Sequence, residues 1–158
     1  MSVERAVLRV ETLPPDMDHL ARAASAEGFG FVQRLMDEWR CGANRFDRPG
    51  EALFVARAGP MPIGACGLNR DPYAKGAVDA GIGRVRRLYV LPPFRRRGVG
   101  RDLTAAVVAA AHGTFSRLRL RTNHPQAAAF YEAIGFVRID EEDATHERTV
   151  HSSPGSPT

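Results

Sequence analysis

The chain has 158 residues, 44% of them hydrophobic and 25% charged, with a formal net charge of +4; this is a one-domain length with enough apolar side chains for a core of its own. No apolar run approaches the roughly 20 residues that span a bilayer, Met1-Ser2-Val3-Glu4-Arg5 does not read as a secretory leader, and Cys41 and Cys66 lack the spacing of a metal site or disulfide framework. A cytoplasmic protein with reduced thiols and no metal is therefore expected. The arginine excess over the single Lys75 reads first as compositional bias, with an anionic ligand or nucleic acid as alternatives.

No repeat or linker divides the chain, so residues 1–150 are expected to form one domain. Residues 151–158, with no apolar side chain to bury, are expected to be a flexible tail. Arg5 to Leu13 alternates Ala6, Leu8 and Val10 against Arg5, Val7 and Arg9, which predicts a strand. Pro14-Pro15-Asp16 breaks it, and Met17, Leu20, Ala21 and Ala24 recur at helical spacing. After Gly28-Phe29-Gly30 a second helix carries Val32, Leu35, Met36 and Trp39 on one stripe. Leu53–Ala56 and Ile63–Leu68, separated by Gly59-Pro60-Met61-Pro62, read as an antiparallel hairpin.

A polar loop from Asn69 to Asp79 leads to a long strand, Ile82 to Leu91, stopped by Pro92-Pro93. A helix to about His112 follows the loop Phe94–Val99, with Leu103, Ala106, Val107, Ala110 and Ala111 on its apolar side. Leu118–Thr122 reads as a strand. Pro125 suits a first helical position with His124 before it, Ala127, Phe130, Tyr131 and Ile134 form the stripe, and Gly135 ends the helix. Phe136–Ile139 and Thr145–Val150 close the chain as strands. This order predicts a layered α/β fold: a mixed, mostly antiparallel sheet of about seven strands flanked by about four helices.

The segment richest in chemistry is Arg87-Leu88-Tyr89-Val90-Leu91-Pro92-Pro93-Phe94-Arg95-Arg96-Arg97-Gly98-Val99-Gly100-Arg101. A strand runs through a glycine-containing loop into a helix N-terminus, whose unpaired N–H groups and partial positive charge favour an anion. Gly98 and Gly100 would let a phosphate approach the backbone, and Arg95, Arg96, Arg97 and Arg101 supply guanidinium groups suited to its oxygens. A P-loop would need G-x-x-x-x-G-K-[ST], which is missing; a dinucleotide fingerprint would need glycine where Leu103 stands, and Gly81-Ile82-Gly83 enters a strand instead of a helix. The bland alternative is a solvated arginine run.

Arg95-x-x-Gly98-x-Gly100, preceded by Leu88-Tyr89-Val90 and a proline, resembles the acetyl-CoA signature of the GNAT superfamily of N-acetyltransferases. His124-Pro125-Gln126-Ala127-Ala128-Ala129-Phe130-Tyr131-Glu132-Ala133-Ile134-Gly135-Phe136 is similar to that family's closing motif. The resemblance implies a GNAT-like fold and acetyl transfer from acetyl-CoA to an amine of a small molecule or protein, with no metal. It implies main-chain contacts from Leu88, Tyr89 and Val90 to the pantetheine arm, with an N–H near Val90 stabilising the oxyanion. Arg95, Arg96, Arg97, Gly98, Val99, Gly100 and Arg101 would hold the pyrophosphate. Tyr131 would protonate the departing thiolate, unless it is an ordinary core tyrosine. The resemblance also leaves room for a homodimer through paired edge strands.

Three departures from the family pattern stand out. Where many members have asparagine this chain has His124, which can still hydrogen-bond the cofactor arm, as can Asn123, the competing role being the helix cap. Arg84 stands where many members carry a glutamate base, and the strand after the long helix offers Arg119 and Arg121. His146, Glu147, Asp71 or a water chain are the remaining candidates. Third, period two would put Arg84, Arg86, Leu88 and Val90 on one face, so Arg84 and Arg86 could meet an anionic acceptor, an amine with a nearby carboxylate or phosphate, unless they pair with Asp71 or Asp79. Phe29, Phe31 and Arg34, around the Gly28–Phe31 break, are candidates for acceptor contacts or for simple packing. A CoA-binding module without efficient transfer is the alternative function, kept open by the missing base. A nucleic-acid binder has only Phe94 beside the arginines in its favour and is not expected.

Overall fold

The computed structural model describes residues 4–76 and 80–150. Its elements are β1 (Arg5–Val10), α1 (Asp18–Ala26), α2 (Phe31–Cys41), β2 (Ala52–Ala58), β3 (Met61–Arg70), β4 (Ile82–Val90), α3 (Val99–Ala111), β5 (Arg117–Leu120), α4 (Pro125–Ala133), β6 (Val137–Arg138) and β7 (His146–Thr149). The strands form one seven-stranded sheet in the order β1-β2-β3-β4-β5-β7-β6. Every neighbouring pair is antiparallel except β4 and β5. The layered α/β architecture expected from the sequence is thus the one observed. Residues 77–79, with Asp79, and the tail 151–158 lie outside the described residues.

Helices cover both faces of the sheet. A Cβ on Gly64 of β3 would touch Leu103 of α3, whereas one on Gly67, of opposite parity, would overlap the Phe46 ring, which stacks on Trp39 of α2. Leu103, Val107 and Ala111 fill the α3 side; Met17, Leu20, Leu35 and Met36 fill the other. Burial of so many apolar side chains, at about 25 cal/mol per Å² removed from water, drives this layering. Two covered faces also correct the pattern expected for β1. Leu8 is 49% exposed, while Val7 and Val10 pack against the core. At an edge strand touched from both sides, inward residues do not fall on a single parity.

The feature that shapes the site is a bulge in β4. Ala65 pairs with Tyr89 but Gly67 pairs with Arg86, so Arg87 and Leu88 together oppose Cys66. Arg87 adopts φ +62°, the left-handed region that a non-glycine residue enters only at a cost. The bulge overturns the expectation that Arg84, Arg86, Leu88 and Val90 share a face. Past it the alternation inverts: Val90 lies over Gly64 and Gly100 on the α3 side, and Tyr89 points to Glu27 at the end of α1. The parallel ladder to β5 is short, pairing Ile82, Gly83 and Arg84 with Arg117, Leu118 and Arg119. From there β4 runs on beside β3 alone.

Gly67 tests this packing. Gly67→Ala would drive a methyl into the stacked Phe46 ring, and overpacking of this kind costs roughly 1–3 kcal/mol. The expected result is a urea midpoint lowered by a matching amount with the cooperativity (m value) kept; an unchanged midpoint would show that the ring moves aside freely.

Candidate active site

The loop after β4 turns through Pro92–Phe94 and enters α3 at Gly98, whose φ of +86° favours glycine. The first helical bond runs from Asp102 N–H to Gly98 O at 2.9 Å; by helix geometry the N–H groups of Val99, Gly100 and Arg101 point out of the helix start without an intrahelical partner. Arg96, Arg97, Gly98 and Arg101 are exposed around this end. Other residues of the segment serve the scaffold. Val99 is buried in the core. Arg95 grips Glu27 with both Nη atoms at 2.8 Å and donates from Nε to Val90 O at 2.9 Å. Gly100 presents its bare Cα to Phe130: a Cβ there would lie 3.4 Å from Phe130 Cζ and 3.8 Å from Val90 Cγ2. The strand end, the α3 N-terminus and α4 therefore meet at one place.

Tyr131 is held there by the way α4 ends. Gly135 takes φ +103°, Phe136 N–H donates to Tyr131 O at 3.0 Å, and Gly135 N–H donates to Glu132 O at 3.3 Å. This pair of bonds is a Schellman termination, and its accompanying apolar contact is the Tyr131–Phe136 ring pair at 5.5 Å. The Gly-Phe that closes the motif thus fixes the tyrosine. Burial pushes the Tyr131 phenol up, with Cys66 adding to the effect, and burial pushes the Cys66 thiol up to about 12. At the other end of α4, His124 is the N-cap residue before Pro125, but its side chain makes no cap bond. Its ring instead stands edge-on to Phe29 at 5.7 Å, and Asn123 is exposed beside it.

On the α1–α2 side, Phe29 contacts Phe31 at 5.7 Å and Phe31 contacts Tyr89 at 6.1 Å. These aromatics line the path from β4 to His124. Tyr89 donates its hydroxyl to Glu27 at 2.6 Å. Arg84 is buried and paired with Asp71 at 3.3 Å. It also donates to Asp143 O at 2.6 Å and lies 4.7 Å from the centre of the Tyr73 ring. The carboxylates and histidine weighed as bases are likewise engaged. His146 is fully buried, with Nε2 2.9 Å from Glu132 and Nδ1 2.9 Å from the Thr145 hydroxyl. Glu147 accepts from Arg119 at 2.7 Å and pairs with Arg117 at 3.5 Å.

Glu27 and Glu38 at the site were not singled out from the sequence, and Arg87 opened the quoted segment without a role of its own. Glu27 sits one residue before the Gly28 break, which was a usable signal. Arg87 matters only because of the bulge, which period-two reasoning does not anticipate.

The family model described as "Acetyltransferase (GNAT) domain" matches residues 49–138. The chain belongs to the GNAT acetyltransferase family. Its matched segment runs from β2 to β6 and contains the bulge, the α3 N-terminus and Tyr131. The chain is 37% identical over 133 residues to mycothiol acetyltransferase of Clavibacter sepedonicus, covering 80% of this chain and 43% of that protein. It is 31% identical over 84 residues to N-alpha-acetyltransferase RimI of Mycobacterium tuberculosis, covering 53% and 51%. It therefore spans about half the length of the curated relatives it matches. A GNAT-like fold is also seen in a crystal structure from Exiguobacterium sp. 255-15, with a TM-score of 0.81 and 29% identity over 92% of this chain and 93% of that one. No helix among the described residues is long and apolar enough to cross a membrane.

The Glu27 pair gives the site a pH signature. Hydrogen bonding from Arg95 foremost, with a smaller contribution from Tyr89, holds the Glu27 carboxyl below its ordinary value of 4.5 against the opposing pull of burial. A depressed folded-state pKa stabilises the fold fully above that ordinary value and is lost as pH falls through the folded one. Glu27→Gln should therefore be less stable than the parent at pH 7, and the gap in urea midpoint should close as pH drops below 4.5. A gap that stays constant with pH would contradict the ion pair.

Proposed function

We propose that this chain is an acetyl-CoA-dependent N-acetyltransferase that moves the acetyl group to an acceptor amine by direct attack. The observation that carries the reading is the meeting of Val90, Gly100 and Phe130, which joins the open end of β4, an anion-favouring helix start and the tyrosine-bearing helix. Acetyl transfer is also the activity in the names of both curated relatives. In this reading the N–H groups of Val99 to Arg101, with Arg96, Arg97 and Arg101, bind the donor's pyrophosphate, and the main chain of Leu88 to Val90 runs along its pantetheine arm. Asn123 and His124 contact that arm from α4, and Phe29 and Phe31 face the acceptor.

The acceptor nitrogen attacks the thioester carbon, and a main-chain N–H near Val90 stabilises the oxygen that gains charge. The carbon–sulfur bond breaks, and Tyr131 gives its proton to the departing sulfur. A phenol with a raised pKa is a weak acid, but burial makes a thiolate here more basic as well, as Cys66 shows. The candidate carboxylates Asp71, Glu27 and Glu147 are held in ion pairs, so the amine's proton leaves through water. That same engagement favours the second reading, a CoA-binding module without efficient transfer. Turnover of acetyl-CoA with an amine panel separates the two.

Two measurements test the proposal. Calorimetric titration of acetyl-CoA should show saturable binding that Gly98→Glu abolishes while the mutant still unfolds cooperatively, at a temperature lowered to match the roughly 1–2 kcal/mol that a side chain costs at this left-handed position; no binding to the parent at high micromolar donor would overturn it. Tyr131→Phe should lower kcat about 100-fold or more with a small change in KM, the usual size of a lost general acid. Equal kcat values would return Tyr131 to a packing role.

A further inference from the structure

The bulge in β4 also repositions a charged side chain. It swings Arg87 toward α2, where Nη2 donates to Glu38 at 3.0 Å. The Arg87 side chain is only 9% exposed, yet its Nε is buried without any hydrogen-bond partner. Buried polar atoms are rarely left unpaired in native proteins, and each such case asks for an explanation. The backbone asks the same question, since Arg87 holds a left-handed conformation that β-strand residues avoid.

Charge adds a third observation. Burial foremost, then Arg86 and last Arg34, act against the protonation of Arg87, and Glu38 is the carboxylate that favours it. Arg34 and Arg86 thus lie close enough to act on Arg87, whose one carboxylate partner among the described residues is Glu38. Arg84, next along the strand, is already matched by Asp71, and neither Arg34 nor Arg86 forms an ion pair with another described residue. The cluster lies past Arg84, in the stretch of β4 that β5 no longer covers, and on α2's side of the sheet. Val90 and the α3 N-terminus, which serve the donor in the proposed reaction, lie on the opposite side.

We propose that Arg34, Arg86 and Arg87 form a carboxylate-binding subsite for the acceptor, so that the amine substrate carries a carboxylate. Arg87 already holds one carboxylate oxygen, that of Glu38, through Nη2, and the orphaned Nε is a donor still to be satisfied. Guanidinium forks match planar carboxylates, and one such contact distinguishes an acid from its neutral amide. The inference rests on the acyltransferase reading and narrows its substrate class.

The test compares kcat/KM for matched acceptors: α-amino acids against their amides, and short peptides with Asp or Glu against Asn or Gln at the second position. At least one class should favour the acid form. Arg86→Gln should cut the acid-to-amide ratio about tenfold or more. Glu38→Gln, which removes the competing charge and keeps an acceptor for Arg87, should raise it. Comparing ratios between enzymes cancels differences in amine basicity. Product binding gives a readout that needs no turnover: N-acetylated amino acids should bind the CoA-loaded protein more tightly than their amides, and Arg86→Gln should erase the difference. Equal ratios in parent and Arg86→Gln, or no preference in either transfer or product binding, would overturn the inference and leave the acyltransferase reading standing. Loss of acetyl-CoA binding itself would sink both.

Discussion

The divergence of β4 from β5 is the constraint on which the rest of this structure depends. Three residue pairs hold the two strands parallel, and then a bulge at Arg87 re-aims β4. Backbone groups inside a sheet must find partners. A strand that runs on past its neighbour therefore offers main-chain donors and acceptors to whatever fills the gap. In this chain the gap opens toward the N-terminus of α3 on one side and toward α2 on the other. A single irregularity in one strand thus opens the sheet toward both faces at one place, where the proposed reaction puts its donor and acceptor.

The surrounding contacts keep that opening in shape. Arg95 ties the loop after β4 to Glu27 at the end of α1, and it also caps the Val90 carbonyl. Phe130 packs on Gly100, and the Schellman end of α4 pins Tyr131 to Phe136. Behind α4, the buried His146 bonds Glu132, the residue after Tyr131. The Arg95–Glu27, Gly100–Phe130 and His146–Glu132 links join different elements of the chain, so the site is built by tertiary contacts more than by any one motif. The arginine-rich composition divides accordingly. Arg57, Arg84, Arg95 and Arg119 brace the fold through carboxylates, and Arg96, Arg97 and Arg101 stand exposed at the α3 start.

Much of this was legible in the sequence where local rules govern. The helical stripes Met17–Ala24 and Val32–Met36, the hairpin around Gly59-Pro60, and the α4 start at Pro125 all follow from periodicity and turn chemistry, and the element order led to the right layered fold. The two motifs marked the strand end, helix start and tyrosine helix that meet in the structure, because glycine and arginine at a helix start have a direct physical meaning. What escaped was set by packing. Gly100 reads as a gap for phosphate, but its missing side chain makes room for Phe130. Arg95 reads as a phosphate ligand, but Glu27, 68 residues away, claims it. Arg86 was picked out with Arg84 by period two, but Arg87 had no role until the bulge turned it into a buried donor without a partner.

The central claim is that donor binding occupies the opening between β4 and the start of α3. Amide-resolved NMR during a titration with CoA tests it most directly. The account predicts saturable shifts concentrated on the amides of Leu88 to Val90 and Gly98 to Arg101, with smaller ones on the first turn of α4. Shifts absent from both segments, or centred on another edge of the sheet such as β6 and β7, would contradict it.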